Sequence, residues 1–354
     1  MIVKNEQESL EGCLQSVWDV VDEIIIVDTG STDKTKEVAN QWTEHIFDFT
    51  WIHDFAVARN FSFAKATMDY ILWLDADDIL LLEDRQKLSQ LKQSLSPEMD
   101  AVSMQYHCDF DDYGNVTLNV RRTRIVKRSS HYQWEGAVHE DLVIKDARFY
   151  HSDIVVTHRK DHSISDPDRN LKIYENLLLM GKEFTLRDTL HYAMELHKQQ
   201  LYQKAIGFYL KILDMEKITM EDRIYTCSKL ADCYYHLGDR EKERGYIFKS
   251  FEYDTPRPEF CCRLGYFFLE KKEFSPAVFW YKTAIELPMQ NNPWAIQNQV
   301  SRTWLPHMQL GLCYYQMGEY ELSYYHNNRA LFYCPNDLSI INNIKLLEEL
   351  RKKK

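Results

Sequence analysis

Short apolar runs alternate with helical patterns through the first half of the chain, and two of the runs stop at an acid. Glu23–Val27 (EIIIV) ends at Asp28-Thr29-Gly30-Ser31, and TDKTKEVANQW then follows with helical spacing and Thr32 or Asp33 as its N-cap. His45–Phe49 (HIFDF) predicts a second strand, FAVARNFSFAKAT a second helix, and Tyr70–Leu74 (YILWL) a third strand. Strand and helix in alternation predict an open, mostly parallel sheet with helices on its faces. Ligands of such sheets bind beyond the carboxyl ends of the strands. Asp28 and Asp75 both stand at such ends, so two acidic clusters fall in one crevice.

The pattern changes after Asp100. AVSMQYHCDF and NVTLNVRRTRIVKR flank the turn signal Asp112-Tyr113-Gly114-Asn115, which predicts a hairpin whose acids Asp109, Asp111 and Asp112 belong to a solvated turn. From about Arg187 strand signals vanish. Leu230-Ala231 with Tyr234 recurs 34 residues later as Leu264-Gly265 with Phe268, and again as Leu310-Gly311 with Tyr314 after an insertion of 12, MQNNPWAIQNQV. Gly238 and Gly318 fall where a helix–helix turn belongs, Ala277 and Ala284 at close-packing positions, and Tyr192-Ala193, Ala205 and Tyr209 mark a fainter first copy. A 34-residue period with small residues at the helix crossing matches the tetratricopeptide pattern. The expected division is 1–165 for the α/β domain, 166–186 for a connecting segment and 187–354 for the repeats.

Bulk composition removes several function classes. The net charge of −11 argues against a nucleic-acid binder, whose phosphate contacts need a basic face. No run of about 18 apolar residues is present, so no membrane span is expected, and MIVKNEQESLEGC is no signal peptide. The 8 cysteines form no CxxC pair and read as reduced core residues of a cytoplasmic protein.

The most informative stretch is Tyr70–Asp84, YILWLDADDILLLED, in which three carboxylates crowd into Asp75-Ala76-Asp77-Asp78. Like charges that close repel, and desolvating them is costly unless a cation or proton compensates. A hard divalent ion such as Mg²⁺ or Mn²⁺ suits carboxylate oxygens and is completed by substrate phosphates.

Five stretches in order, MIVKNEQESLEGCLQSV, EIIIVDTGSTDKT, DFAVARNFSFAKA, ILWLDADD and WEGAVHEDL, together with VTH at Val156–His158, resemble the family 2 glycosyltransferases of GT-A fold over about residues 1–165. With its repeats the chain looks like bacterial members with tetratricopeptide tails, including the sublancin-type peptide S-glycosyltransferases. The resemblance implies a GT-A α/β domain followed by an all-α repeat domain. It also implies an inverting, metal-dependent transfer of sugar from a nucleoside diphosphate donor, expected to be a UDP-sugar. Asp75-Ala76-Asp77 is similar to the family's DxD motif. Asp77 is then the expected metal ligand with His158 beside it, Asp75 faces the ribose or a metal-bound water, and Asp78 caps the following segment. Val3, Glu6 and Asp28 match positions lining the nucleoside pocket, and Asp28 would accept the uracil imide proton. Arg59 in VARN matches an arginine near the nucleotide. WEGAVHEDL is similar to the acceptor-side acidic motif and offers Glu140 as the base, with Asp141 second, because neighbouring residues of an extended stretch face opposite ways. Trp134 would stack on a sugar or sit in the core.

Two departures from the family stand out. HRKDH lacks the usual small residue after His158, which would let Arg159 and Lys160 assist with phosphate charge. The chain also begins inside the first strand, so an earlier start or an incomplete pocket edge at Ile2, Val3 and Glu6 is expected. A partner-binding scaffold with a degenerate nucleotide fold is the rival reading, opposed by the full acidic set Asp28, Asp75, Asp77 and Glu140. A nucleotidyltransferase would need a glycine-rich phosphate loop, and VKNEQES has no glycine. The acceptor is expected to be a polypeptide or a glycan, and the repeats to recruit it or a second copy in a homodimer.

Overall fold

A computed structural model describes residues 1–159, 167–288 and 297–352. It divides into two compact units, Met1–Cys108 with Val120–Glu195, and Asp109–Asn119 with Leu196–Lys354.

The first unit is α/β. In order it comprises β1 (Ile2–Val3), α1 (Leu10–Gln15), β2 (Ile26–Asp28), α2 (Thr35–Ala39), β3 (Ile46–Asp48), α3 (Phe55–Ala64), β4 (Tyr70–Leu72), β5 (Asp78–Ile79) and α4 (Leu82–Ser94). The chain continues through β6 (Ala101–Phe110), β7 (Val116–Lys127), β8 (Gln133–Glu135), β9 (Asp141–Val143), β10 (Phe149–His158), α5 (Arg169–Leu179) and α6 (Leu186–Lys198). Strands β1, β2 and β3 form a parallel sheet in that order. A second sheet holds β7, β6, β10 and β5, with β6 and β10 parallel and β5 antiparallel on the edge. Strand β4 pairs with β7.

Local chemistry explains these boundaries. Asp54 caps α3 by accepting from the Val57 amide at 3.0 Å. Lys34, not Thr32 or Asp33, occupies the α2 cap position. Asp33 instead accepts from the Thr35 amide at 3.0 Å. Asp78 caps nothing either, because the α4 cap is Leu81 and Asp78 itself is fully buried. Cys13, Leu74, Val102, Met104, Ile154 and Val156 are core residues between the second sheet and its helices.

The second unit is built of helical pairs of tetratricopeptide type. Helices α7 (Tyr202–Leu213), α8 (Met220–His236), α9 (Arg240–Ser250), α10 (Pro258–Glu270) and α11 (Phe274–Glu286) precede the short strand β11 (Gln297–Asn298). Helices α12 (Trp304–Gln316), α13 (Tyr320–Tyr333) and α14 (Leu338–Arg351) follow it. The pairs are α8 with α9, α10 with α11 and α12 with α13. Their small residues are a packing requirement. A Cβ on Gly265 would stand 2.8 Å from the Tyr281 ring, and one on Gly311 would stand 2.5 Å from Asn327. The hairpin tip belongs to this unit: the Tyr113 hydroxyl donates to Asp337 at 2.9 Å and Asn115 Nδ2 to the Tyr333 carbonyl at 2.6 Å. Most of the insertion MQNNPWAIQNQV, and Lys160, lie outside the described residues. The eight cysteines are unpaired, and no described helix is long and apolar enough to cross a membrane.

Candidate active site

A cleft of about 350 Å³ in the first unit is lined by Val3, Glu6, Arg59, Asp75, Ala76, Asp77, Glu140 and His158, among others. These residues come from five separate stretches of the chain. Strand β10 runs parallel to β6, so its C-terminal end reaches the acidic segment, where His158 pairs with Asp78 and Thr157 with Ile79. The Arg159 amide donates to the Asp77 carbonyl at 2.7 Å and locks the crossing.

This crossing brings Asp77, Asp78 and His158 together, with one potential ligand atom from each inside 4.8 Å. Nδ1 of His158 lies 3.5 Å from Asp77 Oδ1 and 3.6 Å from Asp78 Oδ1. Both contacts are at the outer limit of a hydrogen bond. Among the described residues, neither that nitrogen nor Asp78 Oδ1 has a closer partner, although both are buried. The Asp77 carboxylate, and then that of Asp78, push the His158 pKa up to about 10 against the opposing effect of burial. A proton on His158 thus stands where the three side chains call for a cation. Two carboxylate oxygens and an imidazole nitrogen fit a small divalent ion.

Asp78 was missed as a site residue because its surroundings lie far off in sequence. Its other oxygen is 2.9 Å from Nη2 of Arg124, and both side chains are wholly buried. Strand alternation in RRTR puts Arg122 and Arg124 on one face of β7. Arg124 packs over Trp73 and Tyr106, and Arg122, also over Tyr106, lines the cleft. That alternation was the available signal.

Arg59 links two acids of the cleft. Its Nη2 donates to Asp75 at 2.7 Å and its Nε to Glu140 at 2.5 Å, with the guanidinium over Trp73 and Trp134. Burial opposes ionisation of Asp75, but Arg59, backed by Arg124 and Arg122, holds its carboxyl well below the usual range. The next residue, Asn60, clamps the acidic motif, giving Nδ2–H to the Trp134 carbonyl at 3.0 Å and accepting from the Trp134 amide at 2.8 Å. Trp134 is buried edge-on against Trp73, so it serves the core and is no open sugar platform.

Two candidates stand apart from the cleft lining. Asp28 ends β2 but is 1% exposed, and its carboxylate accepts from the Gly30 and Ser31 amides. Asp141 is exposed and pairs with Arg187 at 3.2 Å. Glu6 lines the cleft with its carboxylate 2.6 Å from the Ser9 hydroxyl.

Residues 1–136 match the family model described as Glycosyl transferase family 2. Over 283 residues the chain is 24% identical to the SPbeta prophage-derived glycosyltransferase SunS of Bacillus subtilis, covering 75% of this chain and 64% of the relative. Over 94 residues it is 49% identical to a TPR repeat-containing protein of Synechococcus elongatus, covering 26% of this chain and 23% of the relative. The chain therefore spans less than two thirds of the length of these curated relatives. A solved tetratricopeptide repeat protein from Parabacteroides merdae overlays with a TM-score of 0.40 at 13% identity, covering 53% of this chain and 68% of that one.

Proposed function

We propose that the chain is an inverting, metal-dependent glycosyltransferase that takes sugar from a nucleoside diphosphate donor, a UDP-sugar. The observation that carries this reading is one cleft lined by Asp77, His158 and a separate carboxylate, Glu140, with the buried Asp78 carboxylate beside the first two completing a cation-ready triad. The triad would hold Mg²⁺ or Mn²⁺, which when bound neutralises charge developing on the departing diphosphate. Val3, Glu6, Asp75 and Ala76 form the nucleoside side of the site in this reading, and the buried Asp28 acts behind it by holding the Gly30 and Ser31 amides. Arg59 and Arg122 supply fixed positive charge for the phosphates. Glu140 accepts the proton of the acceptor as its oxygen or sulfur attacks the anomeric carbon from the face opposite the diphosphate, which inverts the anomeric centre. Exposure of Asp141 and its pairing with Arg187 favour Glu140 for that role. The acceptor is a polypeptide or a glycan. Exposed Phe279, Tyr325 and Phe332 in the repeats favour recruitment of an acceptor or of a second copy of the chain.

A UDP-sugar together with Mn²⁺ or Mg²⁺ is expected to raise Tm, because ligand at about a hundredfold its Kd adds roughly 2.7 kcal/mol to the folded state. A thermal-shift series with and without chelator checks this. Equal stabilisation in both arms contradicts the metal-bridged reading.

A further inference from the structure

The cleft wall that carries Glu140 holds a polar cluster without a role in the chemistry above. Glu195 of α6 is 4% exposed. Its Oε1 lies 2.7 Å from Nε2 of His139 and 3.2 Å from Nδ2 of Asn170. His139 stands in the loop beside Glu140, Asn170 in the first turn of α5, and both line the cleft.

A carboxylate oxygen accepts, so both of these contacts must be donated to it. That places hydrogen on Nε2 of His139 and turns Nδ2 of Asn170 toward Glu195. Oδ1 of Asn170 is then an acceptor, taking Arg169 Nε at 3.3 Å on one of its two lone pairs, and Nδ1 of His139 is the second polar atom of the pair. The His139 ring is braced by stacking on His191 at 4.4 Å and 12°, and its carbonyl accepts from Arg187 Nη2 at 2.8 Å. The loop holds His139 at φ 50°, a left-handed conformation that costs a non-glycine residue free energy and persists only where the surroundings enforce it.

We propose that His139 and Asn170, oriented by the positioning residue Glu195, form an acceptor subsite for a saccharide carrying two neighbouring hydroxyls. This deepens the glycosyl-transfer reading and rests on it. A saccharide hydroxyl can donate to the remaining lone pair of Asn170 Oδ1 and either donate to or accept from His139 Nδ1, whereas a thiol does both weakly. The negative charge of Glu140 and Glu195 on the same wall disfavours an anion. In the transfer one hydroxyl loses its proton to Glu140 while its oxygen bonds to the anomeric carbon. The carbon–oxygen bond to the diphosphate breaks, and the diphosphate keeps the electron pair. The neighbouring hydroxyl hydrogen-bonds to His139 Nδ1 or donates to Asn170 Oδ1 and holds the attacking oxygen in line.

The test offers the full-length protein, a panel of UDP-sugars and Mn²⁺ with three kinds of probe. These are methyl glucosides and galactosides, their singly deoxygenated analogues, and a peptide pair differing only in Ser or Cys. The expected result is transfer to a methyl glycoside in preference to either peptide. Glu195→Gln should raise the acceptor KM at least tenfold with a smaller change in kcat, and leave the donor-induced rise in Tm intact. With the analogue lacking the neighbouring hydroxyl, wild type and Glu195→Gln should converge, which a merely structural role of Glu195 does not produce. Should Glu195→Gln fold poorly, Asn170→Ala, at a half-buried position on α5, must show the same KM-against-kcat split. Donor consumption with no glycoside modified, preference for either peptide, or an unchanged acceptor KM overturns the inference. Failure to bind or consume any UDP-sugar instead overturns the underlying function, and the inference with it.

Discussion

Glu140→Gln lowers transfer to the acceptor about 10²–10⁴-fold, the range for loss of a general base. Glutamine keeps an oxygen for the Nε–H of Arg59, which now donates to Glu140 at 2.5 Å. The cleft should therefore stay assembled and the donor-induced rise in Tm should persist. Steady-state transfer rates and thermal shifts, measured on one preparation, separate the two effects. If Asp141→Asn shows the loss and Glu140→Gln does not, the proton goes to the residue outside the cleft lining and the choice between them is wrong.

Arg124→Met destabilises the fold by about 3–5 kcal/mol, the usual result of removing one partner from a buried ion pair. Arg124 and Asp78 are both wholly inaccessible and lie 2.9 Å apart, so Met at 124 leaves a buried carboxylate without its guanidinium. Solvent cannot screen that charge as it would on the surface. Urea unfolding of the variant checks the figure. A loss under about 1 kcal/mol would mean that water or a shifted neighbour replaces Arg124.

The alternating first half and the repeats were legible because each follows from local periodicity. Apolar runs ending in acids marked β2 and β4, and the 34-residue recurrence marked the helical pairs. Gly265 and Gly311 recur because a side chain at either would collide with the partner helix. What was not legible depends on partners distant in sequence. Asp78 resembled a solvated cap until β5 paired with β10 and buried it against Arg124. The pairing of Arg59 with Glu140 forms only because the loop after β8 brings Glu140 to it. Nothing near His139 pointed to Glu195, because that contact is set by how α6 packs. Periodicity reports which face of an element is apolar, and carries little about which charged groups will meet.

The central claim is that Asp77, with Asp78 and His158, forms a cation site on which donor turnover depends. The most direct measurement is release of UDP from a UDP-sugar by wild-type protein and by Asp77→Asn, each with Mn²⁺ and with chelator. The side chain of Asp77 is 30% exposed in the cleft, so the variant should keep its fold. The account predicts turnover in the wild type with Mn²⁺, its loss with chelator, and its loss in Asp77→Asn under both conditions. Near-normal turnover by Asp77→Asn, or turnover indifferent to chelator in the wild type, would contradict it.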